Sequence, residues 1–292
     1  MANARAIVKR RKSVRNIHKI TRTMQLIATA RFQMAHNQVT ETKPYTEGIE
    51  RLVEHVSCGR DIDHPLLHVN TESKQSVLIV LTSNRGLCGG YNGAVLREAL
   101  EHIEAREEAG ETVHIHSIGK KGIAYLRFVG RELASAVTEL EDRPRFAEVE
   151  PISLAMIDAY QQKEVDSVHV AYTRFESTSR QRAEVITLLP VERPAADEPN
   201  GGEPAPSVEY DFSPPAEELL ADLLPQMVKV RLFQCFLDAA LSEQVARMVA
   251  MKAATDAAND MMKTLTQQYN RARQTQITLE LLDIVGGVEA MQ

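Results

Sequence analysis

From Gln226 to Val285 the chain reads QMVKVRLFQCFLDAALSEQVARMVAMKAATDAANDMMKTLTQQYNRARQTQITLELLDIV, 60 residues without a glycine or a proline. As one α-helix that run would measure roughly 90 Å, against the ~11–12 residues of an ordinary globular helix. Propensity alone stabilises so long a helix weakly, so it needs a partner along its length. A periodic stripe falls at Met248, Met251, Thr255, Ala258, Met262, Leu265, Tyr269, Ala272, Gln276 and Leu279. The steps alternate three and four without a slip, the rhythm of a left-handed coiled coil. The occupants are unusual for a stable zipper: Thr255 and Gln276 are polar, Ala258 and Ala272 small, and Met248, Met251 and Met262 flexible. Two readings stay open. The stripe is ordinary core facing the middle of the chain, or it is the seam of a thin two-helix shaft whose other faces meet changing surroundings. Gly286-Gly287 then supplies a C-terminal stop.

The other end of the chain is the obvious partner. Met1 to Lys43 also lacks glycine and proline, and its apolar residues suggest a 3-4 seam at Ile17, Ile20, Met24, Ile27, Arg31 and Met34. Ala28, Ala30 and Ala35 would permit close approach. Pro44 is expected to kink or end this helix, and a weaker helical pattern continues through Ile49, Leu52, Val53 and Val56. A shaft built from the two termini, with a globular body between them, points to mechanics rather than to pocket chemistry.

Between the ends the period changes. Val77 to Leu81 is a continuous apolar run, as a buried strand would be. A glycine-rich turn follows, then a helix over 92–109, a strand over 113–118 and a short helix over 120–128. A helix over 151–162 precedes strands over 167–173 and 184–189. Alternation of this kind predicts an α/β sheet domain. The fold class is therefore α/β plus long helices: an antiparallel two-helix coiled-coil shaft from the N- and C-terminal segments, with a central α/β (Rossmann-like) domain. The expected division is 1–57 for the N-terminal shaft helix, 74–192 for the central domain, 193–215 for a mobile loop and foot segment, and 216–292 for the C-terminal shaft helix. Residues 192–215 are rich in Pro, Gly, Asp and Glu, which supports a loop there.

Bulk properties narrow the function classes. Apolar content is 43% and charged content 25%, so the chain reads as globular. No apolar run approaches the 18 or more residues of a membrane span, and the charged N-terminus is unlike a secretory signal. Cys58, Cys88 and Cys235 are odd in number and widely spaced, which favours a reducing compartment. The net charge of −6 conceals an asymmetry: residues 1–40 carry nine Lys/Arg and no Asp or Glu. One end of the shaft is thus basic, and the excess acid lies in the middle of the chain. Lys9-Arg10-Arg11-Lys12 could be a nucleic-acid patch, a transit segment, a solvated face, or a surface for an acidic protein partner. A transit peptide fits poorly, because its removal would cut the shaft.

Nothing in the sequence argues for catalysis by this chain alone. Ser83-Asn84-Arg85-Gly86-Leu87-Cys88-Gly89-Gly90-Tyr91-Asn92-Gly93 lies between a strand and a helix, where phosphate loops lie. Its glycines do not fit G-x-G-x-x-G, and no Gly-Lys-Ser/Thr follows. We read it as a tight turn with close backbone packing. The histidines form no ligand pair on a helix; His114 and His116 share one strand face and read as surface or half-buried residues. Cys88 has no base identifiable from spacing. Catalytic, cofactor-binding and metal residues are expected to be absent.

Several motifs carry a family resemblance that spans the chain in order. Lys19-Ile20-Thr21-Arg22-Thr23-Met24 resembles the K-I-T-x-x-M stretch of the ATP synthase gamma subunit family. Ser83-Asn84-Arg85-Gly86-Leu87-Cys88-Gly89 is similar to that family's S-D/N-R-G-L-C-G turn. Ser242 to Asp256, read as SEQVARMVAMKAATD, resembles S-E-x-x-A-R-M-x-A-M-x-x-A-T-D. Tyr269 to Glu280 matches Y-N-x-x-R-Q-x-x-I-T-x-E, and Ile284-Val285-Gly286-Gly287 fits the closing I-V-x-G. The acidic segment 195–206 and Pro214-Pro215 depart from the pattern. The cysteine-pair insert of the chloroplast type has no counterpart, so a thiol switch is not expected.

The resemblance implies a non-catalytic rotor. In that family a two-helix shaft threads a ring of three alpha and three beta subunits, and its foot rests on the epsilon subunit and the c ring. Proton flow turns the ring, and the shaft drives the beta sites through their binding states in turn. By carry-over, Lys19 and Met24 match positions near an acidic loop of beta, and Arg247, Arg273, Gln274, Thr278 and Glu280 match positions that contact beta. Tyr210 and Phe212 fall near the foot segment. The implied location is peripheral, on the cytoplasmic face of a bacterial inner membrane, with a mitochondrial or chloroplast home as the alternative. No nucleic acid is implied. A nucleotide-binding α/β protein with helical arms is the competing reading, and specific ATP binding by the isolated chain would distinguish it.

Overall fold

The computed structural model describes residues 2–57, 64–140, 143–191 and 215–289. In chain order the elements are α1 (Ala2–Ser57), a 3-10 turn (Pro65–Leu67), β1 (Gln75–Leu81), α2 (Tyr91–Glu108), β2 (Thr112–Ile118), α3 (Lys120–Phe128), β3 (Ser135–Val137), α4 (Phe146–Gln161), β4 (Ser167–Phe175), β5 (Gln181–Leu189) and α5 (Ala216–Glu289). They divide into two compact units: residues 1–30 with 247–292, and residues 31–246.

The larger unit is built on a five-stranded sheet in the order β3-β2-β1-β4-β5. β1 pairs in parallel with β2 and with β4, β2 in parallel with β3, and β5 closes the edge antiparallel to β4. β1 is the central strand, and six of its seven residues are buried. Both faces are covered, which is why its sequence is continuously apolar rather than alternating. Leu78 and Val80 pack with Val95, Ala99 and Ile103 of α2 and Leu126 of α3. Val77, Ile79 and Leu81 face the opposite core with Ile157 and Tyr160 of α4. That second core also takes Ile49, Val53 and Val56 from α1 and Leu220, Leu224, Leu232 and Leu237 from α5. Long helices thus serve as ordinary sheet cover in this unit.

Three local expectations are corrected. Pro44 does not end α1, which continues to Ser57. Pro225 lies inside α5, within the segment expected to be helical. Gly286-Gly287 does not stop α5, which reaches Glu289; neither glycine takes a positive φ, so no left-handed cap forms. α4 begins at Phe146, ahead of the expected 151, because the Arg145 N–H donates to Glu148 Oε2 at 3.2 Å and closes the first turn.

The smaller unit pairs the start of α1 with the second half of α5. Val14, Ala258 and Leu265 form a buried cluster, flanked by Ile7 and Met262. The Thr21 and Thr255 hydroxyls are both buried and lie 2.9 Å apart. Farther along, the Arg11 guanidinium sits over the Tyr269 ring, 5.2 Å from its centroid. Rising positions on α1 meet falling positions on α5, so the helices run antiparallel.

The α5 stripe faces inward as expected from Met248 through Gln276, and Leu279 is exposed. The α1 stripe is rotated. Its non-exposed positions include 7, 11, 14, 18, 21, 25 and 28, a 4-3 alternation one residue away from the expected set. Ile17, Ile20 and Ile27 are 52%, 59% and 50% exposed, whereas Val14, Thr21 and Ala28 are buried. Two helices in close approach select small side chains at their contact. The larger aliphatic residues are left on the outer face.

Candidate interaction surface

Short-range forces hold the glycine-rich turn between β1 and α2. The Ser83 N–H donates to Asn92 Oδ1 at 2.9 Å, the Asn92 amide donates to Ser83 Oγ at 2.8 Å, and the Ser83 hydroxyl donates to Arg85 O at 2.7 Å. Leu87 and Gly89 adopt positive φ, 65° and 58°. The next crossover is as tight. Gly119 has φ 99°, and a Cβ there would lie 2.1 Å from Thr82 O, so only glycine fits. The first N–H groups of α3 are already engaged: Lys120 N–H with Asn84 Oδ1, Lys121 N–H with Ser83 O, and Gly122 N–H with Thr82 Oγ1. A phosphate at that helix terminus would have to displace them. The close backbone packing expected at the glycine-rich turn is not seen at Gly90 and Gly93, which have open space around them, or at Gly86, which meets only the Lys121 side chain; the Ser83 and Asn92 side chains hold the turn instead.

The histidines play structural parts. His114 Nε2 is 2.9 Å from Gln75 Oε1, and His116 Nδ1 is 2.8 Å from Ser135 Oγ, both half-buried. A second histidine pair is not legible from sequence spacing. His102 of α2 and His169 of β4 stack edge to face with ring centroids 4.5 Å apart. Burial, aided by the neighbouring ring and Arg106, lowers the His169 pKa to about 3. Burial also lowers that of His102. On the opposite core face, burial raises Asp238 to about 6 and the Cys235 thiol to about 12. Cys88 is also buried. Among the described residues, no cluster of three or more His, Cys, Asp or Glu could hold a metal. No helix among them is long and apolar enough to cross a membrane.

The residues singled out by family resemblance lie mostly on the helical pair. Lys19 is exposed and Met24 half-buried beside the seam. Arg273, Gln274, Thr278 and Glu280 are exposed on α5. The Thr278 hydroxyl is spent on Gln274 O at 3.0 Å, and Glu280 Oε1 accepts from the Gln276 amide at 2.9 Å. Arg247 differs: it is 6% exposed, so its guanidinium faces the chain's own interior. Tyr210 and Phe212 lie outside the described residues.

Around these polar groups the surface is apolar. α1 exposes Val8, Ile17, Ile20, Leu26 and Ile27. α5 exposes Ile277, Leu279, Leu281, Leu282, Ile284 and Val285, and every residue from 277 to 287 is exposed. Exposed apolar surface on this scale marks a protein interface rather than a solvated rod. The sequence could have signalled it: leucine and isoleucine persist beyond the last seam position that α1 can cover.

The comparisons with known proteins agree with this picture. A family model described as ATP synthase matches residues 3–291. An ATP synthase gamma chain of Rhodopirellula baltica is 47% identical over 295 residues, covering all of both chains. One from Frankia casuarinae is 40% identical, covering 97% of this chain and 96% of its own. Among solved structures, a chain of the Euglena gracilis mitochondrial ATP synthase aligns with TM-score 0.65 at 17% identity, over 99% of this chain and 95% of that one. A chain of the rotor of the same assembly aligns with TM-score 0.62 at 16% identity, over 94% and 99%.

Proposed function

We propose that this chain, which belongs to the ATP synthase gamma chain family, is the central-stalk rotor of an F-type ATP synthase. It carries no catalytic site of its own. It transmits rotation of the c ring to the catalytic beta subunits, and so couples ion flow to ATP synthesis or hydrolysis. Its partners are three alpha and three beta subunits, the epsilon subunit and the c ring. The observation that carries the reading is the helical pair: an antiparallel seam through Val14, Thr21, Thr255, Ala258 and Leu265, with other aliphatic and charged side chains turned outward on both helices.

That arrangement suits a turning part. A shaft meets chemically equivalent partners in succession, so no single contact should be strong in one orientation alone. Only differential binding biases a state. Exposed ion pairs are typically worth ~0–1 kcal/mol, and apolar contact is non-directional. Lys19, Met24, Arg273, Gln274, Thr278 and Glu280 are the proposed contacts with beta. Arg247, being buried, is assigned to positioning α5 rather than to direct contact. Tyr210 and Phe212 are kept as foot residues toward the c ring and epsilon. Of the expected shaft segments 1–57 and 216–292, residues 1–30 and 247–292 are the proposed shaft itself, while 31–57 and 216–246 pack with the proposed body 74–192; 193–215 is the proposed foot. The protein works peripherally at the cytoplasmic face of a bacterial inner membrane, held there by its complex.

The test is co-expression with untagged alpha and beta subunits, followed by purification through a tag on this chain. Recovery of an alpha–beta hexamer with ATPase activity supports the reading. A chain that binds ATP at a specific site of its own and recovers no hexamer refutes it.

A further inference from the structure

The glycine-rich turn after β1 leads into Tyr91, the first residue of α2, and this side chain reaches α5. Its hydroxyl donates to Ala239 O at 3.1 Å in a buried contact. The turn seats Tyr91 firmly. The Tyr91 N–H donates to Cys88 O at 3.3 Å, and Ser83 and Asn92 bond one another across the turn. A second buried contact follows three residues later on α5, about 4.5 Å along its axis, where the Ser242 hydroxyl donates to Thr173 O of β4 at 3.1 Å. β1 and β4 are paired neighbours in the sheet. Within one helical turn, α5 is therefore tied to the element after one central strand and to the strand beside it.

These ties add what the surrounding core lacks. Leu220, Leu224, Leu232 and Leu237 hold α5 in the larger unit by burial, and that attraction is non-directional. A hydrogen bond weakens steeply when bent, so a bond between a side chain and a backbone carbonyl resists both rotation of the helix about its axis and sliding along it. Leu241 to Val245 are all buried. Five consecutive residues exceed the 3.6 of one turn, so α5 is enclosed around its whole circumference there. Water cannot readily replace a contact broken in such a place, which raises the cost of breaking it. A further tie, Lys229 Nζ to Glu150 Oε1 of α4 at 3.1 Å, lies about 15 Å earlier along the helix and is only partly buried.

We propose that Tyr91 and Ser242 are positioning residues for torque transfer. They fix the angle and register of α5 in the larger unit, so that the helix turns with the sheet and not within it. α5 continues unbroken past residue 246, so the same helix that is keyed at Ala239 and Ser242 carries the proposed beta contacts Arg273, Gln274, Thr278 and Glu280. The glycine-rich turn thereby has a task other than phosphate binding: it holds Tyr91 against α5. The proposal rests on the rotor reading.

The test uses the complex with alpha and beta subunits, fixed to a surface through beta, with a bead on an added cysteine at the exposed Phe128 position of the larger unit. Angular excursions of the bead within each pause are recorded for the parent, Tyr91→Phe, Tyr91→Phe with Ser242→Ala, and Ile103→Val. Ile103 is fully buried in the core between β1 and α2, whose buried members include no α5 residue; its truncation loosens the unit without touching either tie. At parent subunit content, excursions should become about fivefold more frequent in Tyr91→Phe, which keeps the ring and its packing, and roughly 30-fold in the double variant. Ile103→Val should match the parent. Parent-like excursions in a rotating Tyr91→Phe or double variant overturn the proposal and leave the rotor reading standing. So does a rise in Ile103→Val equal to that in the double variant. A parent complex that hydrolyses ATP without turning the bead refutes the rotor reading, and the proposal with it.

Discussion

Substitutions at Val14 and Ile17 invert the ordinary expectation that removing more carbon costs more stability. Val14→Ala removes two methyl groups, and Ile17→Ala removes one carbon more. Val14 is 6% exposed and packs with Ala258 and Leu265, whereas Ile17 is 52% exposed. At about 0.8 kcal/mol per buried methylene equivalent, plus a small cavity contribution, Val14→Ala should cost about 2 kcal/mol of local stability. Ile17→Ala, on an open face and toward a better helix former, should stay within about 0.5 kcal/mol. The assay is amide hydrogen exchange of the isolated full-length chain, followed over residues 7–21 of α1. Helix-pair opening should become roughly 30-fold more frequent in Val14→Ala and change little in Ile17→Ala. Greater exchange in Ile17→Ala than in Val14→Ala would refute the observed seam and restore the stripe through Ile17, Ile20 and Ile27.

Further expectations follow from the same geometry. Thr21→Cys with Thr255→Cys should form an intramolecular disulfide under mild oxidation, because the two hydroxyls lie 2.9 Å apart; only intermolecular products would contradict the antiparallel pairing. Met24→Lys adds a charge beside Lys19 and Arg22. If it is held more tightly in one rotary state, by about 1.4 kcal/mol, escape slows about tenfold, so assembled complexes should hydrolyse ATP with poorly coupled ion pumping; an unchanged pumping-to-hydrolysis ratio counts against this contact. Lys19→Ala should retain measurable ATP synthesis, since an exposed pair contributes little; complete loss in a normally assembled complex would overturn that view. His169 and Asp238 oppose each other in pH dependence. The His169 pKa falls to about 3, so the unfolded chain takes up this proton first and stability drops as pH falls below about 6.5. The Asp238 pKa rises to about 6, so the folded chain takes up its proton first and stability grows from about pH 6 down to about 4. Between pH 6 and 4, His169→Gln should therefore gain stability on acidification relative to the parent, and Asp238→Asn should lose it, by about 1.4 kcal/mol per pH unit; denaturant midpoints with unchanged pH slopes would contradict both assignments.

Period and composition carried the architecture because burial on both faces leaves a plain mark. β1 is apolar without interruption, and the α5 stripe keeps its 3-4 rhythm wherever α1 lies against it. The α1 seam lies one residue away from the apolar stripe, because apolar character alone does not mark the contact. Ile17, Ile20 and Ile27 instead form outer surface, and Thr21 and Ala28 fill the narrow contact. The better clue was a heptad of small or compact residues, Val14, Thr21 and Ala28, matched by Thr255 and Ala258. β3 is not legible in the sequence because three residues, Ser135 to Val137, have no period; only pairing with β2 defines the strand. His102 and His169 are far apart in the chain, and their stacking depends on how α2 crosses β4. The exposed contact residues Lys19, Arg273, Gln274, Thr278 and Glu280 came from motif resemblance, not from any local chemical signature. Arg247 shared that motif, and only its burial separates it from the others.

The most direct test of the rotor reading is to watch the chain turn. The complex with alpha and beta subunits would be fixed to a surface through beta. A bead would be attached to an added cysteine at the exposed Phe128 position, far in sequence from both helical ends. With ATP supplied, the bead should rotate in one direction and pause at three positions per turn, one for each beta subunit. A complex that hydrolyses ATP at its normal rate while the bead only fluctuates about one angle would contradict the account.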